Sequence, residues 1–165
     1  MDTATVSVSH QQYAIVSDGV VSLYEGDGTS MTTSSRGYLT VTPSTEYGPV
    51  EVSIDVVFRE LDNYVPRGWT LESQGSFEAI AELRVETTDG QVWPQFASLK
   101  DIQYPSTVLF RAYRQYSPDE SLERHRLELT PRLNLPIRKV DEGEHANEIG
   151  DDRSTVIGLH VFEQE

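Results

Sequence analysis

Four histidines, His10, His125, His145 and His160, are the side chains best suited to hold a transition metal or shuttle a proton. Their spacing argues against a shared metal. No two stand at i,i+2 or i,i+4, the separations that bring two imidazoles to one side of a strand or helix. Three of the four fall in strand-like patterns, where a solitary histidine serves as a hydrogen-bonded structural residue. Cysteine is absent, which removes disulfides, thiolate nucleophiles, iron–sulfur clusters and cysteine-type zinc sites. No Gly-x-Ser-x-Gly elbow is present to expose a serine nucleophile. Gly26-Asp27-Gly28 lacks the following Gly and Lys of a phosphate-binding loop. Paired carboxylates for glycoside hydrolysis could be drawn from 27 acidic residues, but nothing singles out two of them. The acidic run from Asp141 to Asp152 offers oxygen ligands, yet it misses the alternating spacing and central glycine of an EF-hand. The pattern predicts a protein with no catalytic residue, no metal and no cofactor.

The elements that would carry any site are strands. From Val50 to Arg59, Val50, Val52, Ile54, Val56 and Phe58 alternate with Glu51, Ser53, Asp55 and Arg59. Period two with β-branched residues marks a half-buried strand. Phe77 to Thr87 repeats the pattern, with Phe77, Ala79, Ala81, Leu83 and Val85 inward and Glu78, Glu82, Arg84 and Glu86 outward. Alanine and glutamate favour helices, but the alternation decides for one continuous strand, followed by an Asp89-Gly90 hairpin signal. The run from Arg124 to Arg138 alternates too. Pro131 and Pro136 within it predict an edge strand or two strands joined by a kink.

Shorter strands are predicted at Thr5–Ser9, Gln12–Ser17, Val20–Tyr24, Tyr38–Thr42, Thr107–Gln115 and Val156–Phe162, and one helical turn is open to Pro118–Arg126. About nine strands in 165 residues predict a single-domain, all-β, mostly antiparallel sandwich of jelly-roll type. Its expected core includes Val52, Ile54, Val56, Phe58, Ala79, Ala81, Leu83, Phe110, Leu127 and Leu129. Gly26–Gly37 and Glu60–Gly75 read as loops, and 139–153 as an acidic, solvated excursion from the domain.

Charge narrows the partners. Thirteen basic against 27 acidic residues leave a net charge of −14. Such a chain is repelled by a nucleic-acid backbone and by an anionic membrane surface. It is attracted to basic proteins. The opening Met1–Val8 has neither the basic nor the apolar segment of a secretory signal, and the apolar runs are triplets, which predicts a cytoplasmic protein. The candidate contact residues are the strand face Glu78, Glu82 and Glu86, the acidic-run residues Glu142, Glu144, Asp151 and Asp152, and two aromatics expected to be exposed, Trp93 and Tyr113. The alternative reading is a carbohydrate- or calcium-binding sandwich module, with Trp93 as its sugar platform.

The stretch Val6-Ser7-Val8-Ser9-His10-Gln11-Gln12-Tyr13-Ala14-Ile15-Val16 resembles the start of the competence-protein J family, bacterial inhibitors of the DNA-entry nuclease. The later order is similar: an acidic alternating strand, the Thr88-Asp89-Gly90-Gln91 turn, then Val108-Leu109-Phe110-Arg111-Ala112-Tyr113. The resemblance implies a small acidic β-sandwich that binds a basic nuclease and blocks it. It assigns no functional residue. The chain departs from the family at Glu60–Gly75 and Lys139–Arg153.

Overall fold

The computed structural model describes residues 1–8, 12–24, 30–44, 48–59, 63–117 and 122–133. All of them fall in one compact unit, 1–134. The strand expected at Val156–Phe162, the excursion 139–153, and with them Glu142, Glu144, Asp151, Asp152, His145 and His160, lie outside the described residues.

The described chain is built of strands: β1 Asp2–Val8, β2 Tyr13–Ser17, β3 Thr32–Ser35, β4 Tyr38–Val41, β5 Gly48–Val56, β6 Thr70–Ala79, β7 Leu83–Thr87, β8 Ser106–Ser117 and β9 Leu122–Leu133. A 3₁₀ turn at Pro94–Phe96 interrupts them. They form a five-stranded sheet in the order β1-β5-β9-β8-β6 and a four-stranded sheet in the order β3-β4-β2-β7. Every pairing is antiparallel except β5 with β9, which run parallel from Val50 opposite Glu123 to Val56 opposite Leu129. The all-β sandwich is the fold the alternation predicts.

Alternation puts one face of each strand inward. Val6, Val50, Val52, Leu127, Leu129, Val108 and Phe110 of the first sheet meet Tyr13, Ile15, Leu39, Val41, Leu83 and Val85 of the second in one buried cluster. Each such large side chain contributes about 1.5–3 kcal/mol by leaving water. Of the expected core, Val52, Ile54, Ala79, Leu83, Phe110, Leu127 and Leu129 are buried, while Val56 and Ala81 are partly so. Phe58 is not in the core. β5 ends at Val56, and the phenyl ring two residues later is 70% exposed.

Phe77–Thr87 is two strands rather than one. Ile80-Ala81-Glu82 carries the chain from β6, at an edge of the first sheet, to β7, at an edge of the second. The inward parity survives because Phe77 and Ala79 before the corner and Leu83 and Val85 after it enter the same core from opposite sheets. The corner is tied to its neighbours by Asp18 N–H to the Glu82 carbonyl (2.8 Å) and Gly37 N–H to the Glu78 carbonyl (2.8 Å).

Pro131 does not make β9 an edge strand. β9 lies at the centre of its sheet, but β5 ends opposite Leu129. From Thr130 onward that side of β9 is free, and a proline there costs no ladder bond.

Other local expectations also change. Val20–Tyr24 is not a strand: Val20 and Tyr24 cover Ala14, Val16 and Tyr38 on the outer face of the second sheet, with Val21 and Leu23 exposed. Thr32–Ser35 within the Gly26–Gly37 stretch forms β3, and Thr70–Gly75 belongs to β6. No helical turn forms over 122–126, which is the start of β9. The Asp89-Gly90 turn is present, with Gly90 at φ 78° and its N–H on the Thr87 carbonyl at 2.9 Å. It leads into a single bridge, Glu86 to Val92, rather than a paired strand.

Candidate functional site

The acidic strand face is divided by the corner. Glu78 sits on β6, Glu82 in the turn and Glu86 on β7, and each has a local partner. Glu78 pairs with Arg36 at 3.2 Å on the open surface. Glu82 accepts a hydrogen bond from Ser98 Oγ, which also receives one from Lys100 Nζ at 3.1 Å. Glu86 is half-buried and held by Arg84 at 2.7 Å, which reaches Asp18 at 2.8 Å as well. Across the described residues, 12 acids stand against 10 bases; the other 15 acids share the rest of the sequence with only 3 bases. The described residues are nearly neutral, and most of the negative charge falls in the rest of the sequence.

The two aromatics are placed differently from expectation. Trp93 is half-buried against the main core, its backbone N–H bonded to the Val85 carbonyl at 2.9 Å. A ring packed in this way is no flat platform for a sugar. Tyr113 is fully buried. Its parity on β8 does point it to the outer, polar face, but residues 57–59 and 63–69 lie over that face. Val57 N–H reaches the Leu129 carbonyl at 2.8 Å. Arg111 donates to the Tyr64 carbonyl at 3.2 Å and Gln115 to the Gly68 carbonyl at 3.1 Å. Beneath them Tyr113 donates its O–H to Glu128 at 3.0 Å, and Arg126 donates to the same carboxylate at 2.9 Å. Burial, then the bond to Glu128, pushes the Tyr113 phenol up to about 12.

A second network, which the sequence reading missed, lies between the sheets. Tyr13 on β2 and His125 on β9 face each other across the core, with Tyr13 Oη 2.8 Å from His125 Nδ1. His125 Nε2 lies 2.7 Å from Glu123 Oε1, two residues back on the same inward face. Arg114 of β8 approaches that carboxylate at 2.8 Å and donates to the Thr42 carbonyl at 3.2 Å. Ser44 donates its backbone N–H to Glu123 at 3.0 Å and its hydroxyl to the same oxygen.

The directions follow from chemistry. An ionised carboxylate only accepts, so Nε2 of His125 carries the proton and Nδ1 accepts from the Tyr13 hydroxyl. Burial would raise the Glu123 pKa, but the bonds from His125 and Ser44 and the charge of Arg114 outweigh it and hold the carboxyl at about 2. Burial depresses His125 below its ordinary 6.5, Glu123 offsetting only part of the effect. The signal in sequence was the pair Glu123 and His125 on the apolar parity of a strand, where a charge must find a partner.

Tyr13, His125 and Glu123 are buried, so the network ties the sheets together rather than presenting groups to a substrate. A surface depression lined by Gln74, Gly75, Ser76, Leu109 and Phe110 brings no titratable group. Among the described residues no three His, Asp or Glu side chains gather to hold a metal, and no helix is long and apolar enough to cross a membrane.

No family model and no curated protein matches the sequence. Among solved structures, the crystal structure of ComJ, inhibitor of the DNA degrading activity of NucA, from Bacillus subtilis, matches with a TM-score of 0.55. The chain is similar to ComJ in fold. The match covers 80% of this chain and 96% of ComJ at 7% identity. At that identity the likeness is one of architecture, and it agrees with the resemblance read from the opening strands and the later strand order.

Proposed function

We propose that this protein is a non-catalytic binding protein that inhibits a basic partner, a nuclease or a toxin, inside a bacterial cell. The likeness in fold to ComJ, an inhibitor of a DNA-degrading activity, carries the reading. The net charge of −14 supports it. A nuclease active site is electropositive, and an acidic protein is drawn to it at enhanced rate and stands in for phosphate.

In this reading the acidic residues contribute unequally. Glu78 and Glu86 are already matched by Arg36 and Arg84, so they offer less free charge than their number suggests. The acids of the remaining stretches, Glu142, Glu144, Asp151 and Asp152 among them, have far fewer cations near them in sequence. They supply the steering charge, with Glu82 and Trp93 on the sandwich as fixed contacts.

A pull-down from the source cell at low and high salt, followed by a nuclease assay on what is recovered, tests the proposal. A basic nuclease or toxin that is held at low salt, released at high salt and inhibited by added protein supports it, because exposed charges are screened beyond about 8 Å at physiological ionic strength. A partner whose activity is unaffected, recovery of no partner, or retention of the protein on DNA overturns it.

A further inference from the structure

The buried network does more than satisfy polar atoms. The hydrogen bonds that reach Glu123 all run toward it, from Tyr13 through His125 and from Ser44 twice, and the Arg114 guanidinium lies beside the same carboxylate at 2.8 Å as its counter-charge. Such an array has no place for another proton. A proton on His125 Nδ1 turns the acceptor of the Tyr13 hydroxyl into a donor, leaving that hydroxyl hydrogen without its partner. A proton on Glu123 sets an O–H against groups that are themselves donors. Two of those donors, the N–H and O–H of Ser44, together with the Arg114 bond to the Thr42 carbonyl, fix the backbone just after β4, where the chain turns toward β5.

We propose that the Tyr13–His125–Glu123–Arg114 network is an acid-operated latch that holds the connection between β4 and β5 at Thr42 and Ser44. The charged and titratable groups around His125 come from each packed strand: Tyr13 from β2, Glu123 from β9, Arg114 from β8 and Glu72 from β6, the last 3.8 Å from Arg114. β5 adds only Val50 and Val52, opposite Glu123 and His125. Burial disfavours the second proton on the imidazole, so the latch is closed at pH 7.5. The device stands apart from the identity of any partner.

Amide exchange read by NMR on the intact protein at pH 7.5 and pH 5, corrected for the intrinsic rate, tests the latch, with the ¹⁵N shifts of the His125 ring recorded alongside. At pH 7.5 the ring carries its proton on Nε2. The Ser44 amide loses about tenfold or more of its protection as the ring takes its second proton, while Leu129 in the core stays protected. His125→Gln, whose amide both donates and accepts without titrating, keeps Ser44 protected at pH 5. Three results overturn the latch: Ser44 protection unchanged while the ring titrates, a ring still neutral at pH 5 with Ser44 already open, or Ser44 and Leu129 losing protection together. The ring shifts come from the unaltered protein, so the test holds even where His125→Gln does not fold.

Discussion

β9 carries two buried carboxylates on opposite faces, and each is matched by a tyrosine and an arginine. Glu123 points inward to His125, Tyr13 and Arg114; Glu128 points outward to Tyr113 and Arg126 under residues 57–59 and 63–69. The inner network joins two sheets and contains an imidazole. The outer one joins neighbouring strands of one sheet and contains none. A strand places side chains by parity alone, so the same chemistry serves to bolt layers together on one face and to seat a surface segment on the other. What separates them is the imidazole and the number of sheets each one joins.

The largest difference should come from deleting each carboxylate. Glu123→Ala leaves His125 Nε2 and Ser44 without their acceptor and Arg114 without its buried counter-charge, and should cost about 3–5 kcal/mol in urea unfolding. Glu128→Ala strands a tyrosine hydroxyl and an arginine nearer to water, for a loss of about 1–3 kcal/mol. Equal losses would erase the distinction between bolt and seat.

The pH dependence of unfolding should divide the networks next. His125 is depressed in the fold, so its contribution is complete above its ordinary 6.5 and falls as pH drops from there. Glu123, held at about 2 against an ordinary 4.5, adds a second loss from pH 4.5 downward. His125→Gln should flatten the first limb and leave the second. Tyr113, raised to about 12 from 10, contributes fully below pH 10 and loses its share as pH rises toward 12. Tyr13 is raised as well, so the alkaline limb is common to both networks, and the imidazole limb belongs to the inner one. Chemical denaturation across pH 2 to 8 for wild type and His125→Gln reads the two acid limbs directly.

Smaller effects follow. Tyr13→Phe and Tyr113→Phe each remove one hydroxyl donor and should each cost about 1 kcal/mol. The exposed Arg36–Glu78 pair should contribute least, with Glu78→Gln changing stability by less than about 1 kcal/mol and by less still in high salt. A loss of several kcal/mol there would show that the pair is part of the β6–β7 corner rather than a surface contact.

Much of the fold was legible because parity is a local property. Val50, Val52 and Ile54, or Leu127 and Leu129, declare their faces in sequence and occupy them in space. The corner at Ile80–Glu82 was not legible, since a strand that leaves one sheet for the opposite one can keep its phase through the turn. Phe58 was misplaced because alternation says nothing about where pairing stops. Tyr113 was misplaced because parity names the outer face without saying what lies over it. The inner network was half legible: Glu123 and His125 on an apolar parity announce a need, but Tyr13 is 112 residues away in sequence. Charge was legible only in total, its division between the nearly neutral described residues and the acidic rest of the sequence being a matter of where strands begin and end.

The order of the five-stranded sheet has a consequence for synthesis. The second sheet has all four strands once Thr87 is made. In the first, β1 with β5 and β6 with β8 form two separate pairs that only β9 can join. Until Leu122–Leu133 emerges, a growing chain presents unpaired strand borders and a half-covered apolar layer, the state most prone to association with its neighbours on a polysome. The last of these strands to be translated is therefore the one that closes the molecule. A stop codon before it would release two pairs of strands with no centre.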